Sequence, residues 1–235
     1  MALPPGMTRA VVRKLRAATP TVRFLQFDLL DDDQAFEFQP GQWVDCAIPQ
    51  TEVIGGYSLL SSPLDLPTVE LAVKASKHPP AHAATTLTAV GDEWGLRPGG
   101  SFTLDPAFTT EPTLFLAGGI GITPLFGMLR HMARVAARDE VALPSIALVH
   151  SVREPDELAF ASELKDLRLP LNYVQHVTGG ERGRVDEAQI SQVLQELVDP
   201  PICYLCGPES FSRDLAAILR ALGVPRERIK FEAWW

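Results

Sequence analysis

The feature that most constrains this fold is a change of hydrophobic period near residue 107. Before it, apolar residues recur at every second position in short runs, as Val69, Leu71 and Val73 do between Glu70, Ala72 and Lys74. That is the period of a strand with one face buried. Turn signals at Pro40–Gln42, Ser61–Pro63 and Arg97–Gly100 separate the runs, so an antiparallel β-barrel over residues 1–107 is the economical reading. The stretch Pro80–Ala89 lacks the alternation and is expected to form a short helix over one end of that barrel.

After the linker at 108–113 the pattern becomes continuous apolar runs, Leu114–Ala117, Ile146–Val149, Leu171–Val174 and Ile202–Leu205, alternating with helical stripes. A last strand is expected over Ile229–Ala233. Unbroken apolar strands between helices require burial on both faces. The pattern therefore predicts an α/β doubly wound, five-stranded parallel sheet over 108–235, with ligands at the carboxyl ends of its strands. A chain of 235 residues suits two such units.

Composition narrows the function classes. A net charge of -8 gives no electrostatic support for binding nucleic acid, which needs clustered Lys and Arg. No apolar run approaches the ~18 residues of a membrane span and the N-terminus has no signal-like core, so a cytoplasmic protein is expected. The three cysteines, Cys46, Cys203 and Cys206, are too few for a four-cysteine iron-sulfur cluster. Cys203 and Cys206 lie three apart in an apparent strand, where their side chains should point to opposite faces, which disfavours a disulfide. No metal site is expected: His78 and His82 are separated by two prolines and no HExxH occurs. A GxSxG hydrolase elbow is also missing, and His150-Ser151 merely ends a strand.

The strongest local signal is LFLAGGIGITPLFGML, a buried strand running into Gly118, Gly119 and Gly121 and then into a helix expected to open at Pro124. Small residues let the backbone approach a pyrophosphate, and free amides at a helix N-terminus favour the anion. A glycine-rich turn without any ligand is the plain alternative.

GGIGITP resembles the nucleotide loop of the ferredoxin-NADP reductase superfamily, with PGQWVDCAIP, IGGYSLLSSP, YLCGPESF and IKFEAWW matching further segments in the same order. HPPAHAATTL and GLRPGGSFTLDP are most similar to the branch named oxidoreductase NAD-binding domain-containing protein 1. The resemblance implies a flavin-dependent oxidoreductase that takes hydride from NADH or NADPH. It implies FAD as cofactor, FMN being second choice, and a separate electron acceptor, an iron-sulfur protein or a small molecule. A flavin loop of Gly56, Tyr57, Ser58 and Leu59 would have Tyr57 packed on the isoalloxazine and Ser58 near its N5.

Resemblance also places Thr123, Cys206, Gly207 and Pro208 beside the nicotinamide, with Cys206 as an inert thiol the alternative. It brings Glu232, Trp234 and Trp235 to the flavin ring, although the tryptophans would equally serve as anchors of the last strand. Ser58, Cys206 and Glu232 are thus the candidate catalytic residues. Ser151 and Arg153, with Arg182 or Arg184 nearby, are candidates for the adenosine ribose, leaving NADH and NADPH undistinguished.

One departure stands out. Family members commonly carry arginine two residues before the tyrosine, where it pairs with flavin phosphate, and this chain has Gly55. Arg97 with Gly99 and Gly100, or Lys74 or Lys77, would then have to replace that charge, and Gly55→Arg would be expected to tighten flavin. The rival function is a noncatalytic or weakly flavin-binding accessory subunit for nucleotide binding or electron transfer.

Overall fold

The computed structural model describes residues 3–30, 36–179, 183–197 and 199–234, with 233 and 234 described by backbone only. The first half is a six-stranded antiparallel sheet built from β1 (Thr8–Ala17), β2 (Val22–Leu29), β3 (Trp43–Ala47), β4 (Gly55–Ser58), β5 (Thr68–Lys74) and β6 (Glu93–Gly99). Its strand order is β4-β3-β6-β1-β2-β5. The two outer strands meet where β4 runs on, through a bridge between Leu59 and Leu71 and a 2.8 Å hydrogen bond from the Leu60 amide to the Glu70 carbonyl. The sheet thereby curls into a barrel around Val12, Leu25, Phe27, Val44, Leu71 and Trp94.

The expected helix over the barrel end is α1 (Pro79–His82), continued by a π-helical turn at Ala83–Leu87. The turn expected at Arg97–Gly100 starts later, because Arg97, Pro98 and Gly99 still pair with Asp45, Val44 and Trp43 inside β6.

The second half is the parallel sheet the hydrophobic runs predict, with β7 (Thr113–Gly118), β8 (Ile146–Val152), β9 (Leu171–Val177), β10 (Ile202–Pro208) and β11 (Ile229–Trp234) in the order β11-β10-β7-β8-β9. Helices α2 (Ile122–Asp139), α3 (Ala161–Asp166), α4 (Glu187–Gln195) and α5 (Glu209–Ala221) cover it. Helix α2 opens two residues before the expected Pro124, since a 3₁₀ turn at Gly119–Gly121 leads straight into it. Pro124 still falls in the first turn, where a missing N–H costs nothing.

The two halves share one apolar core. Val22, Phe24, Leu60 and Ala72 from the barrel are buried in the same cluster as Ile122, Leu125, Phe126 and Leu129 of α2. Charged ties frame that seam: Arg130 meets Glu70, Arg134 reaches Asp65 at 2.9 Å, Arg16 meets Glu163 at 2.7 Å and Lys230 meets Asp105 at 2.7 Å. Partly exposed pairs of this kind contribute little individually, so the apolar burial carries the junction.

Candidate active site

The carboxyl ends of the parallel strands form one edge. Glu232 lies beside Cys206, Cys206 beside Ala117, and Ala117 beside His150, while Gly118 pairs with Ser151. Four of the sequence-predicted residues thus stand on one rim. The barrel joins it through α2: a Cβ on Gly127 would collide with the Leu59 carbonyl, so the helix and the chain just after β4 touch backbone to backbone. Thr123 lies one helical turn before Gly127 and Ser58 one residue before Leu59, which brings the two predicted loops to a common junction.

The glycines of the loop have different reasons to be glycine. A side chain at Gly121 would enter the Cys206 carbonyl. At Gly118 it would meet the Phe211 ring at 3.0 Å, and at Gly207 it would meet the Gly118 Cα at 2.9 Å. These three are demanded by the chain itself, with Phe211 of α5 wedged against the ends of both β7 and β10. Gly119 differs, for it has a left-handed φ of 56° and nothing within 4 Å of where a Cβ would stand. It is the member of the set whose open side suits close approach of a ligand.

Thr123 is buried and donates its hydroxyl to the Ile120 carbonyl at 2.7 Å, closing the turn. Cys206 is fully buried in the cluster shared with the barrel, whereas Cys203 faces the opposite cluster, as the strand period predicts. Burial pushes the Cys203 thiol up to about 12. Among the described residues no group of His, Cys, Asp and Glu is arranged to hold a metal ion.

The barrel side carries corrections. Gly55 and Tyr57 face the same way as Cys46 and Val44, their partners on β3, which are barrel-core residues. Tyr57 folds back along its strand, so a Cβ on Gly55 would stand 2.8 Å from its ring and 2.7 Å from Pro80 of α1. There is no room for an arginine at 55, contrary to the gain in flavin binding expected of Gly55→Arg. Burial holds the Tyr57 hydroxyl well above the usual range for a phenol.

Two of the proposed substitutes, Arg97 and Lys74, are also engaged, while Lys77 is exposed. Arg97 pairs with Asp45 at 2.6 Å and Lys74 approaches Glu157 at 3.7 Å, while the indole of Trp43 covers the side-chain positions of Gly99 and Gly100. Gly56 alone on this strand is exposed, with only Trp43, 3.7 Å away, near the point where a Cβ would stand.

At the adenosine end, Ser151 is buried inside β8 and Arg153 is exposed just beyond it, where the Gly179 amide bonds the Arg153 carbonyl at 2.9 Å. Arg184 points instead to Asp214 at 3.4 Å. Arg182 and Trp235 lie outside the described residues, and Trp234 is placed only by its backbone pairing with Pro208.

Sequence reasoning missed two residues that shape this site. His150, fully buried, directs Nε2 at the Gly119 carbonyl at 3.0 Å; its signal was a histidine interrupting the apolar run IALVHSV. Phe211 ends the segment YLCGPESF, but nothing in its spacing gave it a role at the site.

Residues 115–217 match the family model described as the oxidoreductase NAD-binding domain. The zebrafish (Danio rerio) oxidoreductase NAD-binding domain-containing protein 1 is 34% identical over 237 residues, covering 92% of this chain and 87% of that protein. This chain belongs to that family. A protein named ferredoxin-NADP reductase B from Sorangium cellulosum is 31% identical to this family member over 246 residues, with 94% of each covered. The fold matches the crystal structure of the flavohem-like FAD/NAD binding domain of nitric oxide dioxygenase from Vibrio cholerae, with a TM-score of 0.75, 23% identity, and 97% of this chain and 98% of that one covered. The architecture is that of two-domain, ferredoxin-NADP reductase-like proteins, and no helix among the described residues is long and apolar enough to cross a membrane.

Proposed function

We propose that this oxidoreductase is an NAD(P)H-dependent flavoprotein reductase of the ferredoxin-NADP reductase type, passing electrons to a separate acceptor. The observation that carries this reading is the meeting of the Ser58–Leu59 strand with the N-terminal turns of α2, beside the open, left-handed Gly119. Units 1–107 and 108–235 are taken as the flavin and nucleotide halves. A bound flavin would supply the exchange between a two-electron donor and a one- or two-electron acceptor.

The residues have separable tasks in this reading. Gly118, Gly119, Gly121, Thr123 and Pro124 admit the dinucleotide at the head of α2, where the helix dipole and free amides favour its phosphates. Cys206, Gly207 and Pro208 shape the wall beside the nicotinamide, Ser58 presents a hydroxyl to the flavin ring, and Glu232 brings a carboxylate to the same rim. Trp234 and Trp235 are proposed to cover the ring. Ser151 and Arg153 are proposed to face the adenosine ribose.

FAD fits this chain unevenly. In this reading Ser58 and Glu232 serve the ring end, but Tyr57 packs against the barrel core rather than on the isoalloxazine, the phosphate-pairing position at Gly55 is closed by Pro80, and Arg97 and Lys74 would have to leave carboxylate partners to replace it. That observation favours a second reading, an accessory protein that binds nicotinamide nucleotide and holds flavin weakly.

The test is a visible spectrum of the purified protein, acid release and chromatography of any pigment, and anaerobic bleaching by NADH and by NADPH. Expected are a flavin spectrum, native or after adding FAD, and its loss on reduction. A protein that stays colourless with saturating FAD and FMN overturns the reductase reading, and retained NAD(P)H binding would then support the accessory one.

A further inference from the structure

A trans peptide points its carbonyl and the following amide in opposite directions. Whatever holds the Gly119 carbonyl therefore also aims the Ile120 amide. That carbonyl accepts two hydrogen bonds: the Ile122 amide from within the turn, and His150 Nε2 from the neighbouring strand at 3.0 Å. We infer that His150 is a positioning residue for dinucleotide binding, its imidazole locking the left-handed turn at Gly119 so that the Ile120 amide faces away from the core towards a pyrophosphate. The inference rests on the dinucleotide reading of the loop given above.

The chemistry of the ring agrees. A carbonyl only accepts, so Nε2 carries the proton, and Nδ1 is left to accept from the Tyr173 hydroxyl at 3.4 Å. Burial lowers His150 to about 4 and raises Tyr173 to about 12, so near neutral pH the ring is uncharged and the phenol keeps its proton. One strand over, His176 repeats the arrangement, with Nε2 on the Gly183 carbonyl at 3.0 Å and Nδ1 facing the Gln189 amide at 3.1 Å. Both glycines are left-handed, at φ 56° and 67°. A strand-end histidine thus bonds the carbonyl of a left-handed glycine twice along one edge of the sheet.

Two amide substitutions separate position from volume. The longer amide side chain introduced by His150→Gln reaches as far as Nε2 and keeps a donor at the Gly119 carbonyl; the shorter one introduced by His150→Asn stops at the Nδ1 position and does not. Calorimetric titration of the whole protein with ADP-ribose and with NADH and NADPH should give His150→Gln affinities within about twofold of wild type and His150→Asn affinities about tenfold weaker. In turnover, His150→Asn should raise KM while leaving kcat at saturation nearly unchanged. Equal affinities for all three proteins would overturn the inference. Wild-type protein that binds neither ADP-ribose nor NAD(P)H would instead overturn the dinucleotide reading. Should His150→Asn fail to fold, ¹⁵N NMR of the wild-type imidazole decides: an Nε2-protonated ring whose resonances shift with ADP-ribose is expected, and resonances unmoved by saturating ligand sink the assignment.

Discussion

Gly118-Gly119 on the parallel sheet and Gly55-Gly56 on the barrel are adjacent glycine pairs at the proposed cofactor site, and they are used differently. In each pair the first glycine is packed, by Phe211 at 3.0 Å in one case and Pro80 at 2.7 Å in the other, and the second is open. Of these four glycines, Gly119 alone combines open space with a left-handed backbone, whereas Gly56 lies in an ordinary extended strand. The sheet loop is thus shaped around a space, while the barrel strand is shaped around its own helix α1. A glycine-rich motif reports that side chains are excluded without saying whether ligand or protein excludes them.

The largest expected effect tests the packed side of the sheet loop. Gly121→Val should cost about 3 kcal/mol or more, because a branched side chain would enter the Cys206 carbonyl and neither backbone can yield cheaply. Chemical denaturation measures it; a native-like midpoint would mean that β7 and β10 are less tightly apposed than the structure has them.

Acid should loosen this loop and leave the barrel pair alone. His150 is lowered from 6.5 to about 4, so between those values the unfolded chain binds the extra proton and stability rises with pH. Lowering the pH from 8 to 5 should therefore remove about 2 kcal/mol, most of it below pH 6.5. Comparing the pH dependence of wild type and His150→Gln isolates this share, and identical slopes would defeat it.

Next comes the packed side of the barrel. Gly55→Arg should lower stability by about 1–2 kcal/mol through its contact with Pro80 and leave flavin affinity no better than wild type. Tighter flavin would show that the strand can turn its 55 side chain outward. Gly119→Val sharpens the contrast, with about 1–2 kcal/mol of backbone strain but a loss of NAD(P)H binding of tenfold or more. Binding that survives in the folded variant would remove the dinucleotide from this loop. Smallest of all, Gly56→Arg should shift the melting midpoint hardly at all, since the position is extended and exposed.

Period and punctuation made the fold readable from the chain alone. The alternation around Val69, Leu71 and Val73 and the unbroken runs at β7, β8 and β10 specify which faces are buried, and burial of one face or two decides between an antiparallel and a parallel sheet; β9, which carries Asn172 and Gln175 at the sheet edge, is only half-buried. The Gly118–Gly121 loop was legible for the same local reason, a strand, a turn and a helix in succession.

Tertiary structure alone decided what stands next to each glycine. Pro80 fills the space at Gly55 from 25 residues away, the Cys206 carbonyl blocks Gly121 from 85 away, and His150 reaches Gly119 from 31 away. Periodicity records backbone conformation and burial, which depend on near neighbours along the chain. Room for a ligand depends on which distant segments the packing brings to the same point, and no spacing along the sequence encodes that distance.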